Sequence, residues 1–443
     1  MNLTGSKKEV IHLEKQIMNQ AEYACNLKIE DLSREIIHQA ERIILDSIGC
    51  IYLGSKKHIE TEQCVENDSF VWTNYMIDTE LYEGNRFAIG HPACHILPLM
   101  LAVSREKEIT WGKFLSTFVA AYEIAARWGS SIAMPNYILG HGTVMTAAAA
   151  AAYALLDGAD EETVYRTILL ANSLPNVSVW QSVYDGSNLH NAYAGIGSMI
   201  AVKAYEMAQN GFYSTEEIIE QVYGKVYQAN LKTEKLDEKL GTEYRICKNY
   251  FKIHTGCRFI HMFADLVKEE MRAGLLAQEI DHIDLFTYKK ASQVADQKAS
   301  NAMAIKFSTP VSIAILLLTG ELSPDHVDAY QKSEEVRDLA QRISLMESDA
   351  YNALLPDIRG GRMIIYKKDQ TVIDREVFHA DGDFDCPVPY TDERLISKFR
   401  KNVTDSQVPV DPGKLVKMIL TTDSLAKEMP VSKVLSEFYA TIP

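Results

Sequence analysis

The run from Phe251 to His261, Phe-Lys-Ile-His-Thr-Gly-Cys-Arg-Phe-Ile-His, brings Lys252, His254, Cys257, Arg258 and His261 together without one carboxylate. In a chain of formal net charge −15, bases left bare in this way read as a built anion site whose counter-charge arrives with a small polycarboxylate. The competing reading pairs Lys252 and Arg258 with acids distant in sequence and makes His261 a core residue.

A second polar constellation, Asp78, Glu80, Glu83, Asn85, Arg86 and His91, stands just before an apolar stretch. Proline is tolerated in the first helical turn, so Pro92 sets His91 at the entrance of a helix over 94–103. Free backbone N–H groups there favour an anion, and a histidine so placed can hold or protonate a carboxylate. A third stretch, Trp180 to Gly197, combines an Asp185-Gly186 turn with His190 and Asn191 ahead of a small-residue helix, and reads as a loop feeding a pocket. His141, in Leu-Gly-His-Gly-Thr, is a further candidate substrate contact.

Neither histidine grouping reads as a metal centre. His91 and His95 stand four apart, but there is no H-E-x-x-H. The set His254, Cys257 and His261 lacks a fourth ligand at customary spacing, and Lys252 and Arg258 would repel a cation beside it. No G-x-S-x-G and no phosphate-binding loop occurs. Gly195-x-Gly197 is half a dinucleotide fingerprint in a helical context, which reads as helix packing.

The elements that must position these residues are mostly helices. Phe114, Phe118, Tyr122, Ala125 and Trp128 recur at intervals of three or four, and 36–53, 94–103 and the alanine-rich 146–156 read as buried helices. Near residue 280 the texture changes to the alternation of strands, in 280–295 and again in 362–379, the latter broken by a hairpin turn at 367–370. Between them 310–318 reads as a buried helix, and after Pro387 and Pro389 a helix restarts at 391–401 with Thr391 as its N-cap.

A length of 443 residues allows two or three domains. With 47% hydrophobic and 24% charged residues, the composition is that of a soluble globular protein. The acidic balance argues against nucleic acid or an anionic membrane as partner. The N-terminus has no signal-peptide apolar core and no run approaches a membrane span, so a cytoplasmic location is expected. Seven scattered cysteines without C-x-x-C suit reduced thiols.

In order, ILDSIGCIYLGS, EGNRFAIGHPACHILPLMLA, FVAAYEIAARWG, the alanine helix with DGADEET, YDGSNLHNAYAGIGSMIAVKAYEMAQNGF, FKIHTGCRFIH and AIKFSTPVSIAILLLTGEL resemble the MmgE/PrpD family. That family includes 2-methylcitrate dehydratase, cis-aconitate decarboxylase and iminodisuccinate epimerase. The resemblance implies a mainly α fold: a large helical domain over 1–253, a smaller α+β lid domain over 254–388, C-terminal helices over 389–443 packing back on the helical domain, and a homodimer. It also implies His91 and Lys252 as active-site residues and Cys257-Arg258-x-x-His261 as part of the site, with Glu80 or Glu83 near the family's aspartates. His190 stands where Lys or Arg is common, and His141 is shifted from the usual histidine, so substrate contacts differ from those of the best-known relatives.

The reactions of these relatives share a carbanion next to a carboxylate or its imine equivalent. The expectation is therefore a cofactor-independent lyase or isomerase of a small di- or tricarboxylate. His261 or Lys252 serves as base and His91 as acid, or the reverse; Glu83, Asn85, Arg86, His141, His190, Cys257 and Arg258 contact substrate. No cofactor is signalled. The alternatives are a polycarboxylate-binding protein without turnover and a metal-dependent hydratase.

Overall fold

Helices dominate the first half of the chain in a computed structural model that describes residues 3–88, 90–420 and 425–442. Ile89, inside the segment that carries the resemblance, and the first two residues of the expected helical domain lie outside the described residues. The long helices here are α1 (Leu3–Asn26), α2 (Arg34–Gly54), α3 (Val65–Asp78), α4 (Pro92–Glu106), α5 (Trp111–Ser131), α6 (Thr146–Leu156), α7 (Glu161–Ser173) and α8 (Leu189–Gln209). Caps fix several starts: the Ser33 hydroxyl accepts from the Ile36 N–H, Thr110 from Lys113 and Asp160 from Thr163. The alanines of α6 are all buried, and their small side chains let α4, α5, α7 and α8 crowd around one helix. Burial runs round the full circumference of α5, further than a single amphipathic face would require.

The second half builds a four-stranded sheet from β1 (Ile280–Thr287), β2 (Ile343–Glu347), β3 (Gly361–Lys367) and β4 (Val372–Val377), in the order β2-β1-β3-β4. β1 runs parallel to β2 and antiparallel to β3, with Ile283 opposite Ile365 and Leu285 opposite Met363. Those four side chains share the buried face. They form a second core with Ile260, Phe263 and Val267 of α9 (Arg258–Arg272) and Ile313 and Leu316 of α10 (Thr309–Thr319). The strand expected over 280–295 ends at Thr287, and its remainder is a turn and a short 3-10 helix. The hairpin over β3 and β4 forms as its alternation indicates. The fold is mainly α.

After the sheet the chain returns to the first core. α11 (Asp392–Ser406) packs on α2, where Gly49 leaves room for the Phe399 ring, and Lys398 reaches Asp46 (2.6 Å) and the Leu81 carbonyl (2.7 Å). Thr391 does precede α11, but its side chain makes no capping hydrogen bond. All seven cysteines are unpaired. Among the described residues no helix is long and apolar enough to cross a membrane.

One seam joins the two cores and holds the site. Gly84 and Asn85 pair antiparallel with Tyr250 and Asn249. The Gly256 N–H donates to the Glu80 carbonyl (3.1 Å), the Thr255 hydroxyl to the Thr79 carbonyl, and Lys306 Nζ to the Asp78 carbonyl. Gly256 sits at φ +120°, and a Cβ there would come within 3.0 Å of the Lys306 carbonyl, so the close approach needs glycine.

Candidate active site

A cavity of about 390 Å3 opens between the two cores. Its polar side is built from the segment after α3, the start of α8, and the turn that leads into α9. Among the described residues Glu80 is the only carboxylate on the lining. It occupies a left-handed backbone conformation (φ 49°), which costs a residue of its size about 1 kcal/mol or more and marks a position the surroundings enforce. From there its carboxylate accepts from Lys252 Nζ (2.6 Å), His190 Nε2 (2.9 Å) and the Tyr82 hydroxyl (2.9 Å). Burial alone would raise the Glu80 carboxyl, but the Lys252 charge and the His190 hydrogen bond outweigh it and hold the group well below the usual carboxylate range. Lys252, wholly buried, lies 4.5 Å from the centre of the Tyr82 ring and is fixed as a donor beside an ionised acid.

His91 is the N-cap residue of α4, and Pro92 keeps it out of the helical region. Its Nδ1 lies 2.7 Å from the Glu83 carbonyl, which can only accept, so Nδ1 carries the hydrogen and the Nε2 lone pair is left for the cavity. Burial, then the Lys252 charge, push the imidazole down to about 3, so it is neutral at physiological pH. Gly84 backs onto this contact: a Cβ there would come within 2.7 Å of His91 Nδ1. The rings of His141 and His91 stack at 5.5 Å, and those of His141 and His95 at 5.3 Å; His190 meets His141 edge-on at 5.1 Å.

Cys94, His95 and His141 bring potential metal-binding atoms within 4.8 Å of one another. The donor set does not fit an ion. His95 Nδ1 gives its hydrogen to the His91 carbonyl (2.9 Å), and its Nε2 accepts from the Gly142 N–H (3.1 Å), so neither nitrogen is free.

The cations left uncommitted lie elsewhere on the lining. Lys290, just beyond β1, donates to the Asn136 carbonyl (3.0 Å) and stands 4.3 Å over the Trp180 ring; Arg359, just before β3, donates to the Arg86 carbonyl (3.2 Å). Neither has a carboxylate partner among the described residues. Burial lowers Lys290 to about 8.

This geometry corrects the opening inference from sequence. The bases of 251–261 are not bare: Lys252 pairs with Glu80 (2.6 Å), Arg258 with Asp383 (2.7 Å) and His254 with Asp265 (3.1 Å). Acids from other segments supply the counter-charge, and the free positive charge sits on Lys290 and Arg359.

Two family descriptions match the chain: the MmgE/PrpD N-terminal domain over residues 85–239 and the MmgE/PrpD C-terminal domain over 254–416. The chain belongs to the MmgE/PrpD family. Among curated proteins it is similar to a cis-aconitate decarboxylase of Aspergillus terreus, 20% identical over 440 residues, covering 86% of this chain and 89% of that protein.

In this MmgE/PrpD protein the residues singled out from sequence divide into two groups. His91, Lys252, His141, His190, Cys257, Arg258 and Asn85 line the cavity. Of these, Asn85 uses its amide inside the chain, donating to the Arg245 carbonyl (2.7 Å) and accepting from the Phe87 and Ala88 N–H groups, so it shapes the turn before His91. Arg258 also holds the Ala380 and Asp381 carbonyls and stacks 4.6 Å from the Tyr250 ring, so its charge is largely committed. Burial pushes the Cys257 thiol up to about 11, which leaves it un-ionised.

Glu83, Arg86 and His261 do not line the cavity. Glu83 faces the start of α4, accepting from the Ala93 N–H (2.9 Å) and the Tyr122 hydroxyl (2.9 Å), and burial raises it to about 8. Arg86 turns away to Asp385. His261 is fully buried on α9 beside His254, their rings 5.5 Å apart, and burial together with Arg258 holds it well below its ordinary value. Sequence reasoning missed Tyr82, Tyr250, Tyr288, Lys290 and Arg359, all on the lining. Lys290 was visible only as the tail of a strand, and Arg359 carried no signal.

Proposed function

We propose that the protein is a cofactor-independent lyase or isomerase that acts on a small di- or tricarboxylate through a carbanion next to a carboxylate. One observation carries this reading: a single cavity whose lining includes a neutral His91 with its Nε2 lone pair unspent and Lys290 and Arg359, two cations without carboxylate partners among the described residues. In this mechanism Arg359 and Lys290 take one substrate carboxylate. His91 Nε2 removes the proton from the carbon next to a second carboxylate, and the electron pair moves onto the oxygens of that carboxylate, beside Lys252 Nζ. Glu80 holds that ammonium in position before the charge develops, so little reorganisation is needed.

An imidazole held down to about 3 is a weak base, but bound substrate changes its surroundings. Burial is the largest cause of the depression and the Lys252 charge the next; a carboxylate entering beside that ammonium offsets its field and raises His91 toward the working range. From the carbanion, a β-hydroxyl that leaves as water with the proton His91 took up completes an elimination, and a proton supplied by solvent to the other face, with His91 releasing its own to solvent, completes an epimerisation. In decarboxylation the departing carbon dioxide leaves its electron pair on carbon, which takes a proton delivered from solvent through His91. The similarity to a cis-aconitate decarboxylase supports trying decarboxylation first.

The test is product analysis by proton NMR with cis-aconitate, citrate, 2-methylcitrate, iminodisuccinate and substituted succinates. Conversion of at least one acid is expected, unchanged after exhaustive EDTA treatment. Binding of acids with no conversion would make the protein a binder, and loss of conversion with EDTA would make it a metal-dependent hydratase.

The same reading fixes a pH limb. Lys290, lowered to about 8, is charged below that pH and neutral above it, so anion capture weakens as pH rises through about 8. A pH profile of kcat/KM should fall on that alkaline side. Lys290→Met should lower kcat/KM near pH 7 and abolish the limb.

A further inference from the structure

The cavity holds more than a small acid needs. A four- to six-carbon polycarboxylate is compact and almost wholly polar, whereas a volume of about 390 Å3 falls in the range that encloses drug-sized ligands. The surplus space is apolar and comes from one stretch of chain. Ile132, Met134, Ile138, Leu139, Val144 and Met145 all face the cavity from 132–145.

This wall is preformed. The Leu139 N–H donates to the Ser178 carbonyl (3.1 Å) and the Trp180 N–H to the Tyr137 carbonyl (3.0 Å), so 137–139 and 178–180 hold each other as a short ladder. The Ser178 hydroxyl is also spent, on the Leu139 carbonyl (2.7 Å). The Trp180 and Phe307 rings, 6.1 Å apart, extend the apolar surface as far as His190, whose ring lies 5.2 Å from Phe307. The wall begins against the turn that carries His91: Gly90, which precedes His91, lies so close to Met145 that a Cβ would sit 2.5 Å from its Cε. Away from Asn136 and His141, which also belong to this stretch, a hydroxyl or third carboxylate laid along its apolar members would lose water without gaining partners, which is costly.

We propose that the natural substrate bears an alkyl or aryl arm on its carboxylate-bearing skeleton, and that this arm lies along the 132–145 wall. Its carboxylates then face Arg359, Lys290 and Lys252. This rests on the polycarboxylate reading above and narrows it: the apolar arm sets specificity, and unsubstituted acids are poor substrates.

The test is calorimetric binding of 2-alkylsuccinates, from methyl to hexyl, with 2-benzylsuccinate and unsubstituted succinate, run beside turnover of the matching alkyl-substituted acids. Affinity is expected to rise about three- to fourfold per methylene until the wall is covered, the factor expected when each methylene leaves water. Met134→Lys, at a half-buried loop position, should flatten the series. Succinate and the short members binding as well as or better than the long ones would overturn the arm while leaving the polycarboxylate reading intact. Failure of every member to bind would overturn both.

Discussion

Replacing Lys252 with methionine should lower turnover about 10^2- to 10^3-fold, the usual effect of removing one preorganised donor from a developing oxyanion. It should also cost roughly 3–5 kcal/mol of stability, because the buried Glu80 carboxylate loses the partner that keeps it ionised. The two effects separate in the double variant Lys252→Met/Glu80→Gln. Removing both charges should restore most of the stability measured by denaturant unfolding, while the rate stays low. Recovery of the rate together with the stability would mean that Lys252 serves only to neutralise Glu80 and takes no part in the chemistry.

His91→Asn should lower turnover about 10^2- to 10^4-fold, the range for loss of a positioned general base. Asparagine is chosen because its amide can still donate to the Glu83 carbonyl, as His91 Nδ1 does, and because it is a good N-cap for α4. What it lacks is the Nε2 lone pair. Stability should therefore change by less than about 1 kcal/mol. The free-enzyme profile supplies a second check: with His91 at about 3, its base form is present from about pH 5 upward, so it adds no acid limb to kcat/KM between pH 5 and 7. An acid limb near 6.5 that disappears in His91→Asn would contradict the tautomer and charge assigned to this ring.

Much of the scaffold was legible in sequence because local rules dictate it. The alanine run could only be a closely packed helix, and Pro92 announced the start of α4 with His91 at its cap. The alternation around 367–370 announced the hairpin of β3 and β4. Lys252 was found through the company it keeps in 251–261. The meaning of that company was misread, because Glu80 lies 172 residues from Lys252 and Asp383 reaches Arg258 from beyond the sheet. Spacing along the chain carries no information about such pairs.

The same limit hid Lys290 and Arg359. Each flanks a strand whose pattern speaks only of the sheet; Lys290 reaches the site through Asn136 in the loop after α5, and Arg359 through Arg86 in the turn before α4. His261 shows the converse. Sharing a short run with Lys252 and Arg258 made it look like part of the chemistry, but the first turn of α9 leaves its ring buried and off the cavity lining. Of the two acids, Glu83 was the substrate contact expected from sequence, whereas Glu80 lines the cavity. The left-handed turn at Glu80 decides between them by sending that carboxylate to Lys252 and leaving Glu83 to anchor α4.

The most direct measurement is proton NMR of the acid panel with the native protein and with His91→Asn in D2O. Deuterium should enter the carbon next to a carboxylate in at least one acid with the native protein, with or without loss of water or carbon dioxide, and should fall at least a hundredfold in rate with His91→Asn. Acids that bind yet never exchange, or exchange that is as fast without His91, would contradict a carbanion formed in this pocket by that imidazole.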